Sequence, residues 1–139
     1  MGVRRAVESD LKTIHPLLEQ LMNAEPDRRR TMWSEALENE GYAAWIADAD
    51  GQPVGFIDLF VFPDVAHGRT IGLINNLVVD ERFRGRGLGE SLLRAAIRHG
   101  KQRGAVELHV WTDFDNKPAI GLYKRVSFVD RALLLELQV

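Results

Sequence analysis

One stretch, Ile74 to Gly89, constrains this chain more than any other. An apolar β-like run ends at Val79, and the charged turn Asp80-Glu81-Arg82-Phe83-Arg84 follows. Gly85, Gly87 and Gly89 then alternate with Arg86 and Leu88. Beyond them the period becomes helical, with Leu88, Leu92, Leu93, Ala96 and Ile97 on one face. A strand, a glycine-rich turn and a helix start, in that order, make a site for a phosphorylated ligand. The first-turn N–H groups have no helical partner, and the positive end of the helix dipole faces the turn. Glycine lets a phosphate approach the backbone without meeting a Cβ, and Arg84 and Arg86 can add charge-assisted bonds. The spacing fits neither G-x-G-x-x-G nor the P-loop pattern.

The rest of the chain alternates between the two periods. Val3 to Val7 reads as a strand, and Glu8-Ser9-Asp10 as the cap region of a helix through Leu11, Ile14, Leu17, Leu18, Leu21 and Met22. Pro26 ends it, and Asp27 begins a weaker helix to about Glu40. Ala43 to Ala47 and Val54 to about Phe62 are expected as strands joined by the Asp50-Gly51 hairpin turn. A loop from Pro63 to Thr70 leads into the central strand, Ile71 to Val79. The helix after the glycines runs to about Gln102, with Gly104 as its stop. Val106, Leu108 and Val110 mark a buried strand, Asn116 caps a helix through Val126, and Phe128 to Val139 supply one or two closing strands.

Composition narrows the function. A chain of 139 residues, 45% hydrophobic and 27% charged, suits one soluble domain spanning residues 1–139. A net charge of −2 argues against nucleic acid as the partner, and Arg28-Arg29-Arg30 reads as a solvated helix face. With no cysteine there is no disulfide, cysteine nucleophile or thiolate metal site, and no metal is expected. No apolar span is long enough for a bilayer and no signal-peptide core is present, so a cytoplasmic location is expected.

Arg84, Gly87 and Gly89 resemble the R/Q-x-x-G-x-G/A motif of the GNAT superfamily of acyl-CoA-dependent N-acyltransferases. The motif follows Leu77-x-Val79 and opens a helix, as it does in that family. Asn116 to Phe128 resembles the family's second signature, N-x-x-A-x-x-L/F-Y-x-x-x-G-F, with Ser127 in place of the glycine. Asp50 to Ile57 resembles its hairpin, and the order β-α-α-β-β-β-α-β-α-β-β is that of its α/β fold. The resemblance implies a mixed central sheet with splayed central strands, flanked by about four helices. It implies acetyl-CoA as acetyl donor, with the backbone of Leu77, Val78 and Val79 pairing its pantetheine arm. The segment Arg84, Gly85, Arg86, Gly87, Leu88 and Gly89 then receives the pyrophosphate.

By the same resemblance, Asn116 bonds the pantetheine, a role compatible with capping its helix. Tyr123 is either the acid that protonates departing coenzyme A or a core aromatic. The proton acceptor is not identified. Asn75 and Asn76 stand where many members carry a carboxylate, which leaves His109, Asp58, Glu25 and Asp113. The acceptor side is expected to hold Glu25, Asp27, Asp58, Asp64, Asp113 and Asp115 with Trp33, Trp45 and Trp111 nearby. Such groups suit a small cationic amine, polyamine-like or aminoglycoside-like. A protein lysine or N-terminus is the alternative acceptor, and a non-catalytic acetyl-CoA sensor the alternative class. The family habit of dimerising and the apolar run Leu133-Leu134-Leu135 raise a homodimer as a further expectation.

Overall fold

The computed structural model describes residues 2–139. Its strands are β1 (Gly2–Arg5), β2 (Tyr42–Ala49), β3 (Gln52–Asp64), β4 (Arg69–Val79) and β5 (Ala105–Val110). Its α-helices are α1 (Leu11–Glu19), α2 (Pro26–Glu38), α3 (Leu88–Gln102) and α4 (Lys117–Arg125). The strands form one sheet in chain order, antiparallel from β1 through β4, with β5 parallel to β4. The parallel step requires a crossover, and α3 supplies it. Among the described residues no helix is long and apolar enough to cross a membrane.

Period-two alternation along β2 divides the core. Ala43, Trp45, Ala47 and Ala49 join Ile57, Leu59 and Val61 of β3 and the α3 stripe Leu88, Leu92, Leu93 and Ala96. Tyr42, Ala44 and Ile46 face the other way, against Ile14 and Leu17 of α1 and Trp33 of α2. The β2–β3 hairpin turns as its sequence requires. Asp50 and Gly51 both have positive φ, at 52° and 75°, the combination that matches strand twist.

The centre of the sheet is irregular. Asp58 pairs with Asn76 and Leu59 with Ile74, so Asn75 is an extra residue bulged out of β4. The bulge reverses the face of every later side chain, which is why Ile74 packs toward α3 while Val78 packs toward α1. The pairing of β4 with β5 runs only as far as Ile74 and Val110. Beyond it, Leu77, Val78 and Val79 pair with β3 alone.

The structure departs from the sequence reading at several points. No strand forms between Phe128 and Val139; the closing strands are absent, and Val129 to Val139 lies exposed. The apolar run Leu133-Leu134-Leu135 pairs with no strand among the described residues, and composition alone does not supply a pairing partner. β5 is only half buried, with Val106 exposed, because it lies at the sheet edge. The Pro63–Thr70 loop shrinks to a turn at residues 65–68, since β3 and β4 pair as far as Asp64 and Arg69. Ser127 adopts φ 80°, the left-handed conformation for which the glycine it replaces is suited.

Candidate active site

The turn after β4 is built by Asp80. Its carboxylate accepts from the backbone N–H of Arg82 at 2.9 Å and from the Arg82 guanidinium at 3.1 and 2.9 Å. Those bonds hold the Asp80 carboxyl down at about 2. The short 3-10 turn Glu81–Phe83 therefore has a fixed start. A group whose folded-state value is depressed adds stability above its ordinary range and loses it as pH falls through the folded value. We expect Asp80→Ala to cost about 0.5–2 kcal/mol at neutral pH, as for other caps. The gap from the parent should close as pH falls toward 2 in chemical denaturation. A gap that stays constant with pH would remove the cap as its cause.

Past this turn the arginines and glycines take distinct positions. Arg84 donates from Nε to the carbonyl of Val79 at 3.1 Å, which ties the turn to the end of β4. The Arg86 guanidinium lies 4.9 Å from the centroid of the Phe83 ring. Gly85 and Gly87 have φ of 79° and 82°, and an added Cβ at either would meet nothing within 4 Å. Glycine is needed there for backbone conformation, and the space outside stays open to a ligand. Gly87 caps α3 with no side chain, and the first helical bond recorded is Ser91 N–H to the Gly87 carbonyl. The N–H groups of Leu88, Gly89 and Glu90 therefore remain available to an anion. Gly89 is small for a different reason. A Cβ there would sit 3.1 Å from Leu122 and 3.8 Å from Val79, so its absence lets α4 close onto the end of β4.

That contact brings Tyr123 to the same place. Its ring is packed into the core, 8% exposed, and meets Phe128 edge-on at 5.9 Å between centroids. Among the described residues no hydrogen bond engages the hydroxyl, yet it is not a sealed, unpartnered atom; the only such atom among them is His99 Nε2. The phenol oxygen therefore meets solvent. Burial pushes the Tyr123 phenol above its ordinary value, so it stays protonated at neutral pH. At the start of α4 the Asn116 side chain accepts from the N–H of Ala119 at 3.3 Å. The cap uses Oδ1 and leaves the Nδ2 hydrogens as the donors it can offer a ligand.

On the other side of β4, the bulge adjoins Asp58. This carboxylate is 4% exposed and accepts from Tyr42 Oη at 2.8 Å, Asn76 N–H at 2.8 Å and Asn76 Nδ2 at 3.0 Å. Burial pushes the Asp58 carboxyl up, and the bonds from Asn76 and Tyr42 pull it only partly back. Burial and the Asp58 charge likewise raise the Tyr42 phenol. Asn76 thus stands where a carboxylate was sought, and it holds the carboxylate of the neighbouring strand. The pairing register of a bulged ladder decided this, and nothing in the spacing of the chain announces it.

The remaining expected acceptor-side groups divide. Glu25 caps α2, accepting from the N–H groups of Asp27 and Arg28 at 3.0 and 2.8 Å. His109 is exposed on β5 and bonded to Glu107 at 3.0 Å. Asp64 is engaged by His67, and Asp27 by Arg30. Trp33 is buried and donates to the Glu8 carbonyl, while Trp45 is buried on the α3 side beside Arg5 and His99. Trp111, Asp113 and Asp115 are exposed immediately after β5, where β4 and β5 have parted.

Comparison with known proteins places these features in a family. The sequence model of the Acetyltransferase (GNAT) family matches residues 7–128. The uncharacterized N-acetyltransferase YhfO of Bacillus subtilis is 33% identical over 133 residues, covering 92% of this chain and 89% of its own. An uncharacterized N-acetyltransferase of Methanocaldococcus jannaschii is 32% identical over 104 residues, covering 73% of this chain and 45% of its own. The mycothiol acetyltransferase of Saccharomonospora viridis is 33% identical over 119 residues, 82% of this chain and 37% of its own. The chain thus spans less than half the length of these last two relatives. Among solved structures, a putative acetyltransferase from Agrobacterium tumefaciens superposes with TM-score 0.90 at 22% identity over 100% of both chains. The aminoglycoside N-acetyltransferase AAC(6')-Iy in complex with CoA has TM-score 0.88 at 23% identity, covering 99% of this chain and 93% of that one. Both likenesses show the fold.

Proposed function

Given that this chain belongs to the Acetyltransferase (GNAT) family, we propose that it moves the acetyl group of acetyl-CoA to a primary amine, with a small cationic amine as acceptor. One observation carries the reading: the unpaired edge of Leu77, Val78 and Val79 ends at a turn whose glycines leave open space. An extended pantetheine amide can pair along that edge as a sixth strand would, and the pyrophosphate then reaches the free N–H groups of α3. Arg84, already tied to Val79, and Arg86, already stacked on Phe83, complete the anion site from Arg84 to Gly89. Asn116 contributes its Nδ2 hydrogens from the start of α4.

The reaction is direct attack. The acceptor ammonium first gives a proton, through water, toward Asp58; the free amine then bonds to the thioester carbonyl carbon and releases its second proton to water. The carbonyl oxygen gathers charge beside the backbone N–H groups at the end of β4. The C–S bond breaks, and Tyr123 gives its hydroxyl proton to the departing thiolate. Asp58 suits the accepting role because burial raises its affinity for a proton. Asp113 and Asp115, exposed with Trp111 after β5, favour a cationic acceptor by charge and by the ring face. A protein N-terminus is the second acceptor class. A putative ribosomal protein bS18-alanine N-acetyltransferase of Bacillus subtilis, 30% identical over 72% of this chain, favours it.

Two measurements test this reading. Thiol release from acetyl-CoA should appear with polyamines or aminoglycosides and be weaker with peptides. Binding without release from any amine would make the chain a sensor. By calorimetry, Arg84→Ala should weaken CoA binding by about 1.5–3 kcal/mol, roughly 10- to 150-fold, as charged hydrogen bonds are lost. Gly87→Val should weaken it further, because a β-branched residue does not tolerate φ 82° and its side chain enters the phosphate path. Unchanged affinity in both variants would place the cofactor elsewhere.

A further inference from the structure

On the α3 side of the sheet, away from the glycine-rich turn, β1, β2 and α3 enclose a cavity of about 270 Å³. His99 in its wall stands twelve residues along α3 from Gly87, about 18 Å at the helical rise. Ala95, Arg98, His99 and Gln102 line it at i, i+3, i+4 and i+7, one continuous helix stripe. A stripe turned toward a sheet is ordinarily apolar, as Leu88, Leu92 and Ala96 are on this helix. Here three of the four side chains are polar. The sheet supplies Trp45 and, opposite it in the β1–β2 register, Arg5. Trp45 and Ala95 are buried and form the floor, and the short side chain of Ala95 leaves room.

The lining is positive and uncompensated. Arg4, Arg5 and Arg98 belong to it together with His99, and no carboxylate does. Arg4 is already held by Asp10 and Asp48. Arg5 has only the Trp45 ring, 5.3 Å from its guanidinium carbon, and Arg98 has no partner among the described residues. His99 packs edge-on against the same ring at 5.1 Å between centroids, and its Nε2 is buried without a hydrogen-bond partner. A buried polar atom that its own chain does not satisfy points to a partner from outside the chain. Burial, then the charges of Arg5 and Arg103, push the His99 ring toward its neutral form. That is the mark of cations gathered without a counter-anion.

We propose that this cavity binds a small organic dianion, a short dicarboxylate or a phosphate monoester, between Arg5 and Arg98 above Trp45. Each guanidinium presents a planar fork of donors that suits one carboxylate or phosphate group. The volume equals about nine waters at liquid density, so the carbon skeleton is short and a nucleotide is too large. That skeleton rests on Trp45 and Ala95, and the Gln102 amide adds a donor at the rim. Negative charge here also offsets the repulsion that disfavours a charged His99. The site does not depend on the acetyl-transfer reading. Its lining comes from β1, β2 and the C-terminal half of α3, and none of it from β4, β5 or the glycine-rich turn.

The test titrates the full chain with succinate, glycerol phosphate and acetate at constant ionic strength, followed by NMR. At least one dianion should move the Trp45 indole N–H signal saturably, and which one does so separates dicarboxylate from phosphate ester. Acetate, with one charge, should bind more weakly. With the dianion bound, His99 should titrate at higher pH, because nearby negative charge favours its charged form. Arg5→Gln and Arg98→Gln should each weaken binding by roughly tenfold or more. Both side chains are exposed and hold no partner in the fold, so circular dichroism should not change. Arg94→Gln makes the same change of charge on α3 outside the cavity, and Arg84→Ala removes an arginine from the glycine-rich turn. Neither should alter dianion affinity. Equal losses in Arg94→Gln and Arg98→Gln would reduce the effect to overall charge and overturn the proposal. So would a loss in Arg84→Ala, acetate binding as tight as that of the dianions, or no saturable shift of Trp45 with either dianion.

Discussion

Tyr123→Phe is expected to lower turnover by roughly 10²–10⁴-fold and to leave folding intact. The two halves of that expectation rest on separate observations. The ring is the part that packs, against Phe128 and the α3 face, and phenylalanine retains it. Among the described residues none hydrogen-bonds the hydroxyl, so removing it strands no partner there. Melting temperature should therefore stay within a degree or two. The chemical half rests on where the oxygen lies. Gly89 lets α4 close on the end of β4 through Leu122, and Tyr123, the next residue of α4, packs in the same core cluster as Val79, along which the proposed thioester would lie. A phenol raised by burial is protonated at working pH, which fits it to give a proton and not to take one. The loss should fall on kcat and leave the KM for acetyl-CoA nearly unchanged, because the proton is needed as the thiolate departs. A kcat within twofold of the parent would reduce Tyr123 to a core aromatic.

What could be read from the sequence was whatever depends on neighbours along the chain. The turn from Asp80 to Gly89 is local: strand end, positive φ and helix start are all set by residues within one turn of each other. The Asp50-Gly51 hairpin and the cap at Asn116 are local in the same way. The GNAT fold followed from these signals because they came in the right order. Pairing across the sheet could not be read so directly. The bulge at Asn75 changes which faces β4 presents, and its consequence is a carboxylate brought in from β3. Asp58 was therefore one of four candidates, and only the fold showed that Glu25 serves as a cap and His109 faces outward with Glu107. The closing strands failed for a related reason. Leu133 to Leu135 has the composition of a strand, but a strand requires a paired edge, and among the described residues this segment pairs with none.

The Asp58 reading leads to an expectation in which pH separates chemistry from structure. An alkylammonium has a pKa of roughly 10, so at neutral pH nearly all of the acceptor carries the proton that must leave before attack. Asp58→Asn keeps the shape and loses the accepting charge, and kcat/KM for the amine should fall by roughly 10²–10⁴-fold at pH 7. The deficit should shrink as pH rises toward 10, where the amine deprotonates unaided. A purely structural role would give a deficit that does not depend on pH in this way. Folding provides the second readout. Because burial raises the folded-state value of Asp58, the folded protein favours its protonated form. The stability from that group is present below the ordinary carboxylate range and is lost as pH rises through the folded value. Relative to the asparagine variant, the parent should lose stability as pH rises from acid toward neutral. A parent-to-variant difference in stability that ran the other way would mean that the carboxylate is held ionised by its three donors. In that case it would serve to position Asn76 and the bulge, and the amine's proton would leave by another path.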